Sequence, residues 1–275
     1  MTGALKHVGN KWWIEGVQPY QVCEALFEAV RLALTQHGAP YSVNYIQGIS
    51  GAAFRIGGIC PCAPTCDYAM EVQELLELLG YSYKHMWVSL GDAAGQHHAY
   101  EALIPLAKAY EEGNKTLPTA ESFDDPYIRE ARNKVSAIID AVKDEIRAGR
   151  TAVLWHAFTT AEFDVVAGFD DAKGTFLGRG SYAGMGAEYA EAPQARTVTT
   201  AYTGGVPTAI LIGEQVRDFD ARGAEISTLK TAVQHAHSQK NVDRLGGDEW
   251  VMLQGLACYD RWVDDYRDPE HKRGM

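Results

Sequence analysis

Cys23 is the residue whose neighbours best equip it for chemistry. It stands in the run Val17-Gln18-Pro19-Tyr20-Gln21-Val22-Cys23-Glu24-Ala25-Leu26. Apolar residues recur at Val22, Leu26, Ala29, Val30, Ala33 and Leu34, which is helical spacing. Pro19 suits a first helical turn, where a missing N–H costs nothing. The reading is a helix over 19–37 with Cys23 near its start. Unpaired N–H groups and the helix dipole at that end favour a thiolate over a thiol. Gln18, five residues upstream, would supply a side-chain donor to an oxyanion. The competing reading of Cys23 is a small buried apolar side chain, which free cysteines commonly are.

A thiol nucleophile needs a partner that handles its proton, and two residues are candidates. His156 lies on a strand whose alternation puts Leu154, His156 and Phe158 on one face. A histidine there would suit a general base near neutral pH. Glu162 opens the next strand. A carboxylate takes a thiol proton only if burial raises its pKa, and Glu162 would equally bind an amine. The plain alternatives are a hydrogen-bonded histidine at a strand end and a solvated glutamate. If Glu162 starts that strand in register, Glu162, Asp164 and Val166 share one face, and Glu162 turns towards Cys23.

Other chemistry is less well supported by spacing. Cys60, Cys62 and Cys66 form C-x-C-x3-C, without the paired C-x2-C knuckles of zinc sites. They are expected in a loop bordering the Cys23 cleft, with no metal and no cofactor. The glycine-rich stretch Gly178 to Gly186 lacks the βαβ setting of a dinucleotide fingerprint. Neither Ser50 nor Ser181 sits in G-x-S-x-G. Cys258 and the aromatic residues Trp250, Tyr259, Trp262 and Tyr266 read as core.

The elements that must position these residues follow from pattern. After the first helix, a second runs from about Asp67 to Leu79, and Tyr83 to Leu90 reads as a strand. His98 to Ala109 is helical, and Asn114 to Pro126 is a loop or lid. A long amphipathic helix carries Val135, Ile138, Ile139, Val142 and Ile146 on one face and stops at Gly149. The period then becomes two. Strands are expected at Thr151–Phe158, Glu162–Phe169, Thr175–Leu177 and Pro207–Ile212, and helices at Ser227–Gln239 and Glu249–Asp265. Helices, then an antiparallel sheet, then helices give an α+β class.

Composition bounds the rest. A chain of 275 residues buries a full core. A net charge of -11 argues against nucleic acid and anionic membrane as partners. No apolar run has transmembrane length, and Met1 to His7 has no apolar signal core, so the expectation is a cytoplasmic protein. Five cysteines in a chain this long do not make a disulfide framework. The sequence leaves self-association into a homo-oligomer open.

Taken in order, these segments resemble the papain-like cysteine-peptidase superfamily, and more narrowly proteins similar to butirosin biosynthesis protein H, a thiol acyltransferase. The segments are Gln18 with Cys23-Glu24-Ala25-Leu26, Gly48 to Arg55, and Gly149-Arg150 leading into Glu162 to Asp171. Gly255 to Trp262 fits the acyltransferase-like relatives as well. The resemblance implies one papain-like domain over 1–275, with a helical half over about 1–148 and the sheet and closing helices over about 149–275. In the peptidases a histidine stands six residues before the glycine of the Gly-aromatic-Asp turn; here that position is Glu162. The next strand, which there offers Asp or Asn, reads Phe176-Leu177-Gly178-Arg179-Gly180. The implied function is thiol-dependent acyl transfer or amide hydrolysis on a small-molecule or carrier-bound acyl substrate. The alternative is a catalytically silent relative that binds a ligand or partner in the same cleft.

Overall fold

The computed structural model describes residues 3–22, 25–39, 41–54, 70–91, 95–238, 240–245, 248–253 and 255–267. The elements open with strands β1 (Leu5–Val8) and β2 (Lys11–Ile14), then helices α1 (Ala25–Gln36), α2 (Val43–Ile49) and α3 (Val72–Leu79). Strand β3 (Tyr81–Trp87) precedes helices α4 (Gly95–Glu111) and α5 (Pro126–Arg147). Strands β4 (Ala152–Trp155), β5 (Phe163–Asp170), β6 (Thr175–Arg179), β7 (Ala190–Pro193) and β8 (Thr208–Gln215) follow. Helix α6 (Ala221–Ala236), strands β9 (Lys240–Leu245) and β10 (Asp248–Leu253), and helix α7 (Ala257–Arg267) close the chain. The class is α+β with a curled antiparallel sheet.

The chain forms two compact units, Met1–Tyr41 with Gly80–Arg217, and Ser42–Leu79 with Asp218–Met275. The first holds the large sheet, in the order β1-β2-β5-β4-β8-β3, with β6 on β5 and β7 on β6. β5 is its hub. Its first half pairs with β4 (Leu154↔Asp164, Trp155↔Phe163) and its second half with β2 (Trp12↔Phe169). β6 runs along the opposite edge, with a register shift between Val166 and Gly168. Such a bulge bends a strand and increases its twist, which suits a sheet that curls. Gly178 explains part of the glycine-rich stretch. A Cβ there would lie 2.1 Å from the Val165 carbonyl oxygen and 2.7 Å from the Phe158 ring, so only glycine lets β6 approach β5.

α1 is buried on nearly every side, from Ala25 through Leu34, as expected of a helix at the centre of a core. The one charge it buries, Glu28, is bound bidentately by Arg31 at 2.5 and 2.7 Å. α5 buries Val135, Ile138, Ile139, Val142 and Ile146 together with Ala131, the face the spacing predicts. Asp125 caps it by accepting from the Tyr127 N–H at 2.8 Å, Pro126 opens it, and Gly149 follows with φ 79°. These are the start and stop signals of a helix. The stretch 1–148 also carries β1, β2 and β3, all members of the sheet.

Several expectations are corrected. Residues 17–22, Pro19 among them, are not helical, and the described helix begins at Ala25. Glu249 to Leu253 is not the start of a helix but β10, paired antiparallel with β9. The Gly246-Gly247 pair between two short runs is the signal for that hairpin. The β1–β2 hairpin across Gly9-Asn10 is likewise absent from the pattern reading, although Gly9 at φ 58° is typical hairpin chemistry. Tyr259, Trp262 and Tyr266 on α7 are not core but 48%, 60% and 70% exposed. Cys258 is half-buried, and the Trp250 side chain lies outside the described residues. Among the described residues no helix is long and apolar enough to cross a membrane.

Candidate functional site

The turn between β4 and β5, residues 156–162, gathers the polar groups of interest. It closes with the His156 N–H donating to the Glu162 carbonyl at 2.8 Å. His156 at φ 64° and Ala161 at φ 56° are the non-glycine residues of positive φ among the described residues. Left-handed backbone at such residues persists only where the surroundings hold it. Here side chains do the holding. Asp164 Oδ2 accepts from the N–H groups of Phe158 at 2.6 Å and Thr159 at 2.8 Å. His156 Nδ1 accepts from the Ala161 N–H at 3.0 Å. The Arg196 guanidinium donates to the His156 carbonyl and, at 3.1 Å, to Thr160 Oγ1.

His156 is fully engaged. Because Nδ1 accepts from Ala161, the ring proton is assigned to Nε2, which donates to Thr199 Oγ1 at 2.9 Å. Thr199 Oγ1 in turn donates to the Arg196 carbonyl at 2.8 Å. The side chain is buried, and burial together with the Arg196 charge lowers its pKa to about 4. It is therefore a neutral, doubly hydrogen-bonded wedge at neutral pH. A base needs a free lone pair, and neither nitrogen offers one.

Glu162 has the opposite character. It is half-buried, and its carboxylate stands by the Ala25 N–H at the start of α1. Burial raises its pKa to about 7, against the lowering effect of that N–H. The strand expected to start at Glu162 starts instead at Phe163, so Glu162 belongs to the turn, near the start of α1. Cys23 itself, with Glu24, lies outside the described residues.

Three more residues shape the surroundings. Tyr20 is buried and donates its hydroxyl to the Phe163 carbonyl at 2.8 Å. Burial and the nearby carboxylates of Asp164, Glu162 and Glu28 hold its phenol protonated. Asp164 is 0% exposed, and burial raises its pKa to about 7 despite the two N–H donors. Gln18 is exposed and donates Nε2 to the Gly16 carbonyl at 3.1 Å. It lines a surface pocket of about 580 Å³ with Trp13, Arg179, Glu188 and Tyr189.

The structure therefore brings His156 and Glu162 together in one turn, with distinct tasks, and gives the Gln18 amide a local partner. Cys60, Cys62 and Cys66 lie outside the described residues, as do the side chains of His97 and His98. Pattern reading passes over Tyr20, Arg196 and Thr199, whose roles arise from contacts 40 or more positions apart, such as Thr199 with His156 at a separation of 43. Asp164 was legible as the carboxylate inside an apolar run, sharing the Glu162 alternation. No family model, curated protein or solved structure matches the chain.

Proposed function

We propose that the protein is a papain-like thiol acyltransferase or amide hydrolase in which Cys23 attacks an acyl group and Glu162 receives the thiol proton. The observation that carries this reading is the half-buried Glu162 carboxylate near the start of α1, with its pKa raised by burial to about 7. A thiol near 8.5 gives its proton to such a group about 300 times more readily than to a carboxylate at 4.5. In the attack, the Cys23 sulfur bonds to the acyl carbon, its proton passes to Glu162, and the leaving amine or thiol takes a proton back. An amine or water then accepts the acyl group. Gln18 remains the proposed oxyanion donor, once its amide turns from the Gly16 carbonyl. His156 supports the turn and takes no proton.

A second reading is a catalytically silent protein that binds a small ligand in the same cleft. The full engagement of His156 and the local hydrogen bond of Gln18 favour it. The pH profile of Cys23 alkylation by iodoacetamide separates the two. If Glu162 and Cys23 share a site, their titrations couple. The wild-type rate then shows an inflection near pH 7 before the main thiol ionisation, and Glu162→Gln gives a single ionisation. One simple profile, identical in both proteins, removes Glu162 from the site.

A further inference from the structure

Asp164 is a buried carboxylate that the proposed chemistry does not use. One oxygen grips two amides of the β4–β5 turn; the other, Oδ1, has no hydrogen-bond partner among the described residues. Thr159 Oγ1 stands beside it, and its hydroxyl favours the ionised carboxylate. Both atoms press on Gly180 of the segment after β6. A Cβ there would lie 2.3 Å from Thr159 Oγ1 and 2.4 Å from Asp164 Oδ1. An unpaired oxygen in a site closed to water makes the ionised form costly. The groups facing it are Tyr20, a phenol whose own proton is held the tighter for the Asp164 charge, and Arg196, whose charge favours ionised Asp164. His156 and Glu162 stand on the same turn.

The turn and the helix end are mechanically linked. Asp164 fixes Phe158 and Thr159, His156 fixes Ala161, and the next residue is Glu162. Glu162 follows directly on Ala161, which like His156 is left-handed without being glycine, so a turn that relaxes to commoner backbone moves Glu162 with it. We propose that Asp164 is a positioning residue for Glu162, and that its ionised form tightens the turn that carries Glu162 to the start of α1. Hydrogen bonds to a carboxylate are roughly twice as strong as those to a neutral acid. Gain or loss of one proton on Asp164 therefore sets the stiffness of the turn. Ionised Asp164 costs the fold desolvation energy while it tightens the turn, a local arrangement gained against global stability. The claim concerns where Glu162 is held, and stands whether or not Glu162 acts as a base.

Nuclear magnetic resonance of the full chain tests it. In the wild type the amide protons of Phe158 and Thr159 are expected to move upfield together on acidification from pH 8.5 to 5, with one shared midpoint near neutrality. In Glu162→Gln that movement persists, since it reports Asp164. In Asp164→Asn the two amides stay at their low-pH positions. The Glu162 carboxyl carbon then titrates at a midpoint lower by at least about half a pH unit, a threefold change in its proton affinity, as the side chain swings towards water. Phe158 and Thr159 amides that do not move with pH in the wild type would overturn the proposal, even if the variant fails to fold. So would a Glu162 midpoint and an Ala25 amide shift unchanged in Asp164→Asn.

Discussion

Replacing Arg179 with methionine is expected to remove about 3 kcal/mol of folding stability. The guanidinium is 5% exposed yet meets no carboxylate among the described residues. It is neutralised by carbonyl dipoles instead. Nε donates to Val17 at 3.1 Å, and the Nη atoms reach Gly184, Gly186 at 2.9 Å, Glu188 at 2.7 Å and Ala187 at 3.3 Å. The Tyr189 ring lies 4.5 Å from the guanidinium carbon, and its hydroxyl bonds the Ile14 carbonyl at 2.5 Å. One side chain thus ties residues 184–189 to the segment that leads towards Gln18. Methionine fills the volume but leaves those carbonyls without a donor, each worth roughly 1–3 kcal/mol if it stays buried. Some will find water as the loop opens, hence the middle value. Lysine brings three donors without the planar fork, so Arg179→Lys should recover less than half. Urea denaturation of the three proteins measures this. A loss below about 1 kcal/mol for methionine would mean that the loop is held by other contacts.

The second large effect is in the dependence of stability on pH. Asp164 moves from 3.8 to about 7 on folding and Glu162 from 4.5 to about 7. Both are raised, so their contribution is fully present below the unfolded values and is lost as pH rises through about 7. His156 is lowered from 6.5 to about 4, so its contribution is present above 6.5 and is lost as pH falls through about 4. Between about pH 4.5 and 6.5 the two falling limbs outweigh the one rising limb, so the wild type should lose stability as pH rises there. Asp164→Asn removes the larger falling limb. Its stability should be nearly flat across that window, where the wild type falls, and exceed the wild type at pH 8 by an amount on the order of 3 kcal/mol. Glu162 is partly open to solvent and contributes less. Thermal or urea unfolding at pH 4.5, 6.5 and 8 checks the shape. Parallel curves for wild type and Asp164→Asn would mean that Asp164 ionises in the fold as it does in the unfolded chain.

How much of this was legible in the sequence depends on the kind of signal. α5 announces itself through five apolar residues at helical spacing, Pro126 at its start and Gly149 at its end. β4, β5, β6 and β8 are short apolar runs separated by turns, but β4 ends at Trp155, so His156 and Phe158, expected on its face, fall in the left-handed turn instead. β1 escapes because all four of its residues are exposed. A strand with no buried face carries no alternation to read, and only its pairing to β2 defines it. The helix expected from residue 249 fails for a related reason: a strand and a helix of similar apolar content differ only in period, and six residues are too few to separate them.

The site divides in the same way. Glu162 was singled out by strand register, but it lies one residue before β5, in the turn, where a period of two does not apply. The strained turn that carries it was not legible. Left-handed backbone is normally announced by Gly or Asn, and here it falls on His156 and Ala161. What enforces it is a set of hydrogen bonds from Asp164, Arg196 and the His156 ring, and the Arg196 contact spans 40 positions. His156 looks like a base in sequence because its type and place on the strand suit one. Only its two ring contacts show it to be occupied.

Acyl transfer to Cys23 with Glu162 as proton acceptor is tested most directly by incubating the protein with an aromatic thioester and mapping the acylated residue by mass spectrometry over time. The expected result is one acyl group on Cys23, with the aromatic thiol released in equal amount. At pH 7.5 it should form about a hundredfold more slowly in Glu162→Gln, the usual scale for loss of a general base. Acyl groups spread over the cysteines in step with their exposure, or the same rate of Cys23 acylation in Glu162→Gln, would contradict it.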